Sequence, residues 1–314
     1  MKVLVTGGSG FIGSHVVDKL RDKAIEVRVY DVVIPTFRKD IEFYQGSILD
    51  RAALGFAMSG VDAVMHLAAV ADVKDVFEDP YYAESINVRG TINVLEAVRC
   101  SKVNKMIYGS TTWVYSEASE DRVTESTPLH APSHFYTATK LAGEYYCQTY
   151  SKLYGLDVTI LRYGIPYGPR ARDGAVIPIF VEKALNGKPI TIAGDGSQFR
   201  KFIYVEDLAE GNVMALKSTA RNKIYNLDGN EKITIKQIAE SIQKILGNVR
   251  IEHIPGRPGD FSGKEVSCEL AKKELGWRPK VSFEKGLSKY IEWYKERESS
   301  RNLDKKKIDE LLER

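Results

Sequence analysis

Cysteine is scarce in this sequence: only Cys100, Cys147 and Cys268 occur, far apart and without CxxC spacing. That excludes a disulfide framework and a cysteine-based zinc site, and no metal is expected; three isolated thiols suit a reducing compartment. Long apolar runs are also missing. No segment offers the ~18 uninterrupted apolar residues that cross a bilayer, and the chain opens on a strand pattern rather than a charged stretch followed by an apolar leader. The expectation is a cytoplasmic protein with no membrane partner. A charge excess is lacking as well, because 45 basic and 42 acidic residues leave a net charge of only +3. So balanced a distribution carries no electrostatic footprint for nucleic acid. With 43% hydrophobic and 28% charged residues and no low-complexity tract, the 314 residues describe an ordinary globular chain. The length allows one large domain or two packed ones.

What is present is a repeating alternation. Lys2 to Thr6 is a β-branched apolar run, and Gly7 to Gly13 is a glycine-rich turn. Ser14 to Lys23 then sets Val16, Val17 and Leu20 on one side of a helix. Glu26–Asp31, Ala63–Leu67, Lys105–Tyr108 and Val158–Arg162 read as further strands, with helices at Val88–Cys100 and Tyr136–Tyr154. Strands separated by helices of this length predict an α/β fold, a doubly wound parallel sheet covered on both faces. After about Gly168, clusters of Gly and Pro interrupt shorter elements. The expected organisation is a dinucleotide-binding domain over 1–168, with 197–220 returning to it, and a smaller α/β substrate domain over 169–298. Residues 299–314 form a charged tail or solvated terminal helix.

The most specific local signal is Thr6-Gly7-Gly8-Ser9-Gly10-Phe11-Ile12-Gly13, with GxxGxxG spacing between a strand and a helix. Glycines there permit a tight turn and close approach of a pyrophosphate to the backbone, and the helix N-terminus favours the anion. Gly7, Gly10, Phe11, Ile12 and Gly13 are the candidate phosphate-binding residues. Asp31 ends the second strand eighteen positions past Gly13. Its carboxylate can accept from the adenosine ribose hydroxyls and would repel a 2′-phosphate, and no arginine follows nearby, so NAD is expected rather than NADP.

From this spacing to about Tyr294 the chain resembles the extended short-chain dehydrogenase/reductase family, Rossmann-type proteins, and within it the NAD-dependent epimerase/dehydratase group. The likeness is greatest to the UDP-glucose (UDP-galactose) 4-epimerase type. The segments that carry it include His66-Leu67-Ala68-Ala69, Asn87-Val88-Arg89-Gly90-Thr91, Tyr136 with Lys140, and Leu161-Arg162-Tyr163. The resemblance implies that Leu67, Ala68, Ala69, Asn87 and Tyr163 lie at the cofactor. Ser47-Ile48 stands where many relatives carry Asp–Ile at the adenine, and Ser47 can still hydrogen-bond. The resemblance also implies a homodimer, formed through two helices of the first domain.

Tyr136-Thr137-Ala138-Thr139-Lys140 places a phenol and an ammonium on one helix face. A tyrosine with a reference pKa of ~10 becomes a usable base when a cation, aided by a positive nicotinamide ring, favours the phenolate. Lys140 is also implied, by resemblance, to hold the nicotinamide ribose. The run Ser110-Thr111-Thr112-Trp113-Val114-Tyr115 supplies a hydroxyl partner; Thr111 occupies the family's Ser/Thr position, with Ser110 and Thr112 as alternatives. Relatives that eliminate water carry an Asp–Glu pair directly after this residue, and decarboxylating ones a Glu at the second position. Here Thr112 and Trp113 stand instead, which points to epimerisation or simple oxidation–reduction.

Arg200, in Ala193–Arg200, and Arg257, in Pro255–Asp260, resemble the two arginines that grip a nucleoside diphosphate, for which a guanidinium fork is well shaped. Either could instead be a surface ion-pair residue. Val176, in Ala175–Phe180, resembles the segment that shelters the base. Ile165 departs from the family, which usually has Asn there, and Trp113 is bulkier than the usual residue. The expected function is inversion of C4 in a UDP-hexose through a transient 4-keto sugar. The alternatives are an NAD-dependent dehydrogenase or reductase of another alcohol, or a catalytically silent NAD-binding regulator.

Overall fold

The computed structural model describes residues 1–256 and 263–312. Its first half repeats one unit, an apolar strand followed by an amphipathic helix. β1 (Lys2–Thr6), β2 (Glu26–Asp31), β3 (Glu42–Gln45), β4 (Ala63–His66) and β5 (Lys105–Thr111) are followed in the chain by β6 (Arg122–Val123) and β7 (Asp157–Tyr163). Between them run α1 (Phe11–Asp22), α2 (Arg51–Ala57), α3 (Val73–Glu78), α4 (Pro80–Glu84), α5 (Gly90–Arg99) and α6 (Phe135–Tyr154). The later elements are β8 (Ile165–Tyr167), β9 (Ile190–Ala193), β10 (Phe199–Tyr204), β11 (Ile224–Leu227), β12 (Lys232–Thr234), β13 (Ile251–Ile254) and β14 (Glu265–Val266). The helices among them are α7 (Val176–Leu185), α8 (Val205–Met214), α9 (Ile235–Leu246), α10 (Glu269–Leu275) and α11 (Phe283–Leu312).

Seven strands form one parallel sheet in the order β11-β7-β5-β4-β1-β2-β3. This is the doubly wound Rossmann arrangement, and its strand order reverses between β1 and β4, where such sheets open a crevice at the carboxyl ends of their strands. Alternate side chains serve opposite faces. Val3 and Val5 enter a core with Val16, Val17 and Leu20 of α1, whereas Leu4 enters the core on the other side with Leu54, Val94, Leu95 and Cys147. A third core lies beyond the sheet, where Tyr167, Phe202, Tyr204, Ile238, Phe283 and Tyr290 pack together. It joins the three-stranded sheet β12-β10-β8 to α7, α9 and α11.

Two boundaries differ from expectation for identifiable reasons. The return to the large sheet runs past residue 220, because Ile224–Leu227 pairs in parallel with Ile160–Tyr163 as the sheet's edge strand. β10, inside the expected return, pairs instead with β8 and β12. At the C-terminus a single helix spans Phe283–Leu312. No proline or glycine interrupts the sequence after Gly286, so nothing in it ends the helix at Glu298. Among the described residues no helix is long and apolar enough to cross a membrane, and no group of His, Cys, Asp and Glu could hold a metal ion.

Candidate active site

The glycine turn is shaped by contacts that exclude side chains. Gly7 has φ of +70°, and a Cβ there would meet the Ala68 backbone nitrogen at 2.6 Å. A Cβ on Gly13 would strike the Gly7 carbonyl oxygen. Gly10 is the N-cap of α1 and supplies no side-chain cap, so the first N–H groups of the helix are left to whatever occupies the crevice.

Asp31 stands at the carboxyl end of β2. Its Oδ2 accepts the Ser9 N–H at 2.9 Å and its Oδ1 the Val33 N–H at 3.0 Å. The carboxylate therefore ties the glycine turn to the loop after β2 while it lines a cavity of about 300 Å³. Ser47, Ile48, Leu67, Ala68 and Ala69 line the same cavity. Ser47 Oγ accepts the Leu49 N–H at 3.2 Å, and Ile48 fills the space left by the missing side chain of Gly90. Ser9 of the glycine motif also lines it, as do Tyr82 and Ile86, which no local spacing marks in the sequence. Tyr82 and Ile86 come from a helical turn whose approach to the sheet is set by tertiary packing.

A second cavity, of about 370 Å³, shares Gly7, Gly10, Leu67 and Ala69 with the first and continues toward α6. Phe11, Ile12, Gly13, Thr111, Tyr136, Lys140 and Tyr163 line it. The two together form an elongated crevice with the Asp31 carboxylate at one end and the Tyr/Lys pair at the other, which is the shape a dinucleotide requires.

The hydroxyl candidates separate here. Parallel pairing of β5 with β7 sets Ser110 opposite Arg162 and Thr111 opposite Tyr163. Ser110 Oγ donates to the buried Glu144 carboxylate at 2.5 Å, so its hydrogen is spent inside the protein. Thr111 lines the cavity together with Tyr136, its Oγ1 accepting the Trp113 N–H at 3.2 Å, and Thr112 faces a neighbouring cavity. Thr111 is thus the member of the run that joins Tyr136.

The electrostatics differ from the expectation in one respect. Burial pushes the Tyr136 phenol up to about 12, and the cation that opposes this is Arg172, with the neighbouring Thr111 hydroxyl adding to it. Lys140 is buried too, and its amine is pushed down to about 8. Its Nζ stands 4.5 Å from the centre of the Tyr108 ring. Arg172 lines the cavity and ion-pairs Asp72, the N-cap of α3, at 3.0 Å. Nothing in its local sequence marks it; the loop after β8 brings it to Tyr136.

One expected cofactor residue acts from behind the wall. Asn87 is 1% exposed and spends its amide on the Val70 N–H, the Val70 carbonyl and Thr139 Oγ1, at 2.8, 3.0 and 3.0 Å. It sits in a π-helical turn, Ser85–Arg89, and fixes both the loop after β4 and the residue before Lys140. Tyr163 presents its ring, since its hydroxyl is held by Asn212 at 2.5 Å. His66 is also structural: its ring bonds Thr6 at 2.7 Å and Thr91 at 3.0 Å, and burial pushes it down to about 3.

On the substrate side Val176 and Arg200 line a third cavity of about 270 Å³ with Phe202 and Pro178. Arg200 Nη1 also donates to the Phe199 carbonyl at 2.8 Å. Arg257 lies outside the described residues. Ile165 borders this cavity, the one at Tyr136 and a further one at Trp113.

Residues 3–228 match the family described as NAD dependent epimerase/dehydratase. The chain belongs to that family. It is 34% identical to the UDP-glucuronate 4-epimerase of Thermodesulfobacterium geofontis, over 93% of this chain and 96% of the relative. Among solved structures it is similar to the UDP-glucose 4-epimerase of Thermotoga maritima with UDP-glucose, with a TM-score of 0.89, 33% identity, and coverage of 94% of this chain and 99% of that one. It is likewise similar to the UDP-glucose 4-epimerase of Thermus thermophilus in complex with NAD, with a TM-score of 0.85, 34% identity and coverage of 94% and 99%. This epimerase/dehydratase-family protein is an NAD-dependent enzyme. The crevice fits that cofactor: Asp31 at one end, the glycine turn at its centre, and Lys140 and Tyr136 at the other.

Proposed function

We propose that the protein inverts C4 of a UDP-linked hexose of the UDP-glucose/UDP-galactose type. The observation that carries this reading is the lining of the cavity around Thr111, Tyr136 and Lys140, where none of the described residues is Asp or Glu, the carboxyls of Glu117 and Asp228 lining the adjoining cavity instead. Elimination of water from a sugar needs a carboxylate acid/base beside the tyrosine. Without one, proton exchange at a single hydroxyl is the chemistry left to the side chains. When bound, NAD supplies reversible hydride exchange with the sugar carbon. Tyr136 takes the 4-hydroxyl proton and later returns it, while Thr111 orients that oxygen. Lys140, which has no carboxylate within ion-pair range among the described residues, keeps its N–H groups for the nicotinamide ribose. The 4-keto sugar turns about its phosphate linkage before reduction on the other face. Val176 shelters the base, and Arg200 and Arg257 grip the diphosphate.

A second reading, net oxidation of an unrelated alcohol, draws on Ile165 and Trp113, which narrow the approach to Tyr136. Incubation of the purified protein with UDP-glucose or with UDP-galactose, products separated by chromatography, tests the first reading. The same product ratio reached from either side supports it. Release of NADH in proportion to a free alcohol, with no nucleotide sugar interconverted, selects the second.

The reading includes a cytoplasmic homodimer. Its cysteines are unpaired, α6 leaves Tyr145, Leu153 and Tyr154 exposed, and α3 and α4, which pack against it, expose Phe77 and Tyr81, apolar surface of the kind that pairs with a copy of itself. Sedimentation of the wild type and of Leu153→Glu checks it; a monomeric wild type contradicts it.

A further inference from the structure

Asp228 is a buried carboxyl outside the machinery described so far. It follows β11, at the carboxyl end of the sheet's edge strand, and is 3% exposed. Its Oδ1 accepts the Gly229 N–H at 2.8 Å, and Oδ2 has no hydrogen-bond partner among the described residues. Among those residues no ion pair reaches it either. The ammonium whose charge acts on it, Lys201, donates instead to the Val266 carbonyl at 3.0 Å. Asp228 lines a cavity, where a ligand or water can complete the hydrogen bonds of Oδ2.

Its place says what that ligand is. Asp228 lines the cavity of about 530 Å³ beside Trp113, which adjoins the Tyr136 cavity through Val73, Trp113 and Ile165 and the nucleotide cavity through Ile165 and Arg200. Gly164, itself in the wall of the Tyr136 cavity, has no room for a Cβ because Asp228 Oδ1 occupies that space. The carboxyl therefore stands behind Gly164 and lines the cavity that adjoins the one at Tyr136 and includes Arg200 in its wall.

We propose that Asp228 is a specificity-determining residue that accepts a hydrogen bond from a sugar hydroxyl and disfavours a sugar bearing its own carboxylate. The inference rests on the nucleotide-sugar reading above. A hydroxyl completes the open lone pairs of Oδ2; a hexuronate turned toward Asp228 brings a second negative charge beside it, a penalty set against the Arg200, Lys201 and Lys264 cations that line the same cavity, so that the loss of the Asp228 charge is what isolates it. The site selects an uncharged hexose over the corresponding uronic acid.

The test is equilibrium binding of UDP-glucose and UDP-glucuronate to the NAD-loaded full chain. Burial pushes the Asp228 carboxyl up to about 7, so measurement at about pH 8 keeps it ionised. Wild type is expected to bind UDP-glucose about tenfold more tightly than UDP-glucuronate. Asp228→Asn, which keeps the shape and loses the charge, is expected to close most of that gap, mainly by strengthening UDP-glucuronate. Should Asp228→Asn fail to melt cooperatively, Asp228→Ser carries the comparison. A wild type that prefers UDP-glucuronate overturns the proposal, as does a gap unchanged by both substitutions. If wild type binds neither nucleotide sugar, the nucleotide-sugar reading falls and takes this inference with it; binding of UDP-glucose with a charge-insensitive gap removes this inference alone.

Discussion

Glu144 and Arg162 face each other in the interior as a two-point ion pair, Nη2 to Oε2 at 2.7 Å and Nε to Oε1 at 3.0 Å, with 1% and 2% of their side chains exposed. The pair joins α6, one turn past Lys140, to β7, and Glu144 also receives the Ser110 hydroxyl next to Thr111. Arg162 continues the network to Tyr115, which reaches Asn226 on β11. The helix bearing the tyrosine and lysine is thereby registered against the strand end bearing the threonine.

Removing one partner leaves a buried charge uncompensated, which costs roughly 3–5 kcal/mol. Glu144→Ala is predicted to lose that much by denaturant unfolding. Joint replacement, Glu144→Met with Arg162→Met, is predicted to lose less than the single change, because no orphaned charge results. A single variant as stable as wild type contradicts the account of this pair.

Tyr136→Phe removes the proton acceptor and leaves the ring. Turnover is predicted to fall about 10²–10⁴-fold, the range for loss of a positioned general base, with NAD affinity nearly unchanged. Unchanged turnover, measured beside the NAD dissociation constant, would show that Tyr136 does not carry the proton.

Asp31→Asn keeps an oxygen for the Ser9 or Val33 N–H and removes the charge. A hydrogen bond to a charged group contributes about 1.5–3 kcal/mol, so NAD is predicted to bind at least ~10-fold more weakly while NADP gains relative to it. Fluorescence titration of both cofactors checks this, and an unaltered NAD/NADP preference contradicts it.

Lys140 gives a pH signature. Burial lowers its amine from 10.5 to about 8, so across that window the unfolded chain binds more protons than the folded one and stability rises with pH. Below about 8 the whole cost of the buried ammonium is felt. Lys140→Met is therefore predicted to be more stable than wild type without cofactor at neutral pH, by roughly 1–3 kcal/mol, and to lose this advantage as the pH approaches 10.5. Thermal melts across that range decide it; an advantage that grows with pH would reverse the sign.

The parts legible in the sequence are those whose chemistry lies along one element. The glycine turn, Asp31 at its strand end, and Tyr136 and Lys140 one helical turn apart all declare themselves by local spacing. Three adjacent hydroxyls could not be separated that way, since the choice depends on which side of β5 faces α6. There Ser110 meets Glu144, and Thr111 is left in the cavity lining with Tyr136. Arg172 and Asp228 were illegible because each reaches the site by way of a loop or edge strand whose place is set by packing with distant residues. Ile224–Leu227 is a four-residue strand whose membership in the large sheet depends on β7 rather than on its own pattern.

The central claim is that one carbon of the sugar is oxidised and reduced again within one turnover, with Tyr136 exchanging its hydroxyl proton. The most direct measurement starts from UDP-galactose deuterated at C4 and follows the product by mass spectrometry and proton NMR. The account predicts UDP-glucose that keeps its deuterium at C4, with no NADH accumulating in proportion to product. Loss of the label to solvent, or NADH formed mole for mole with an oxidised sugar, would contradict it.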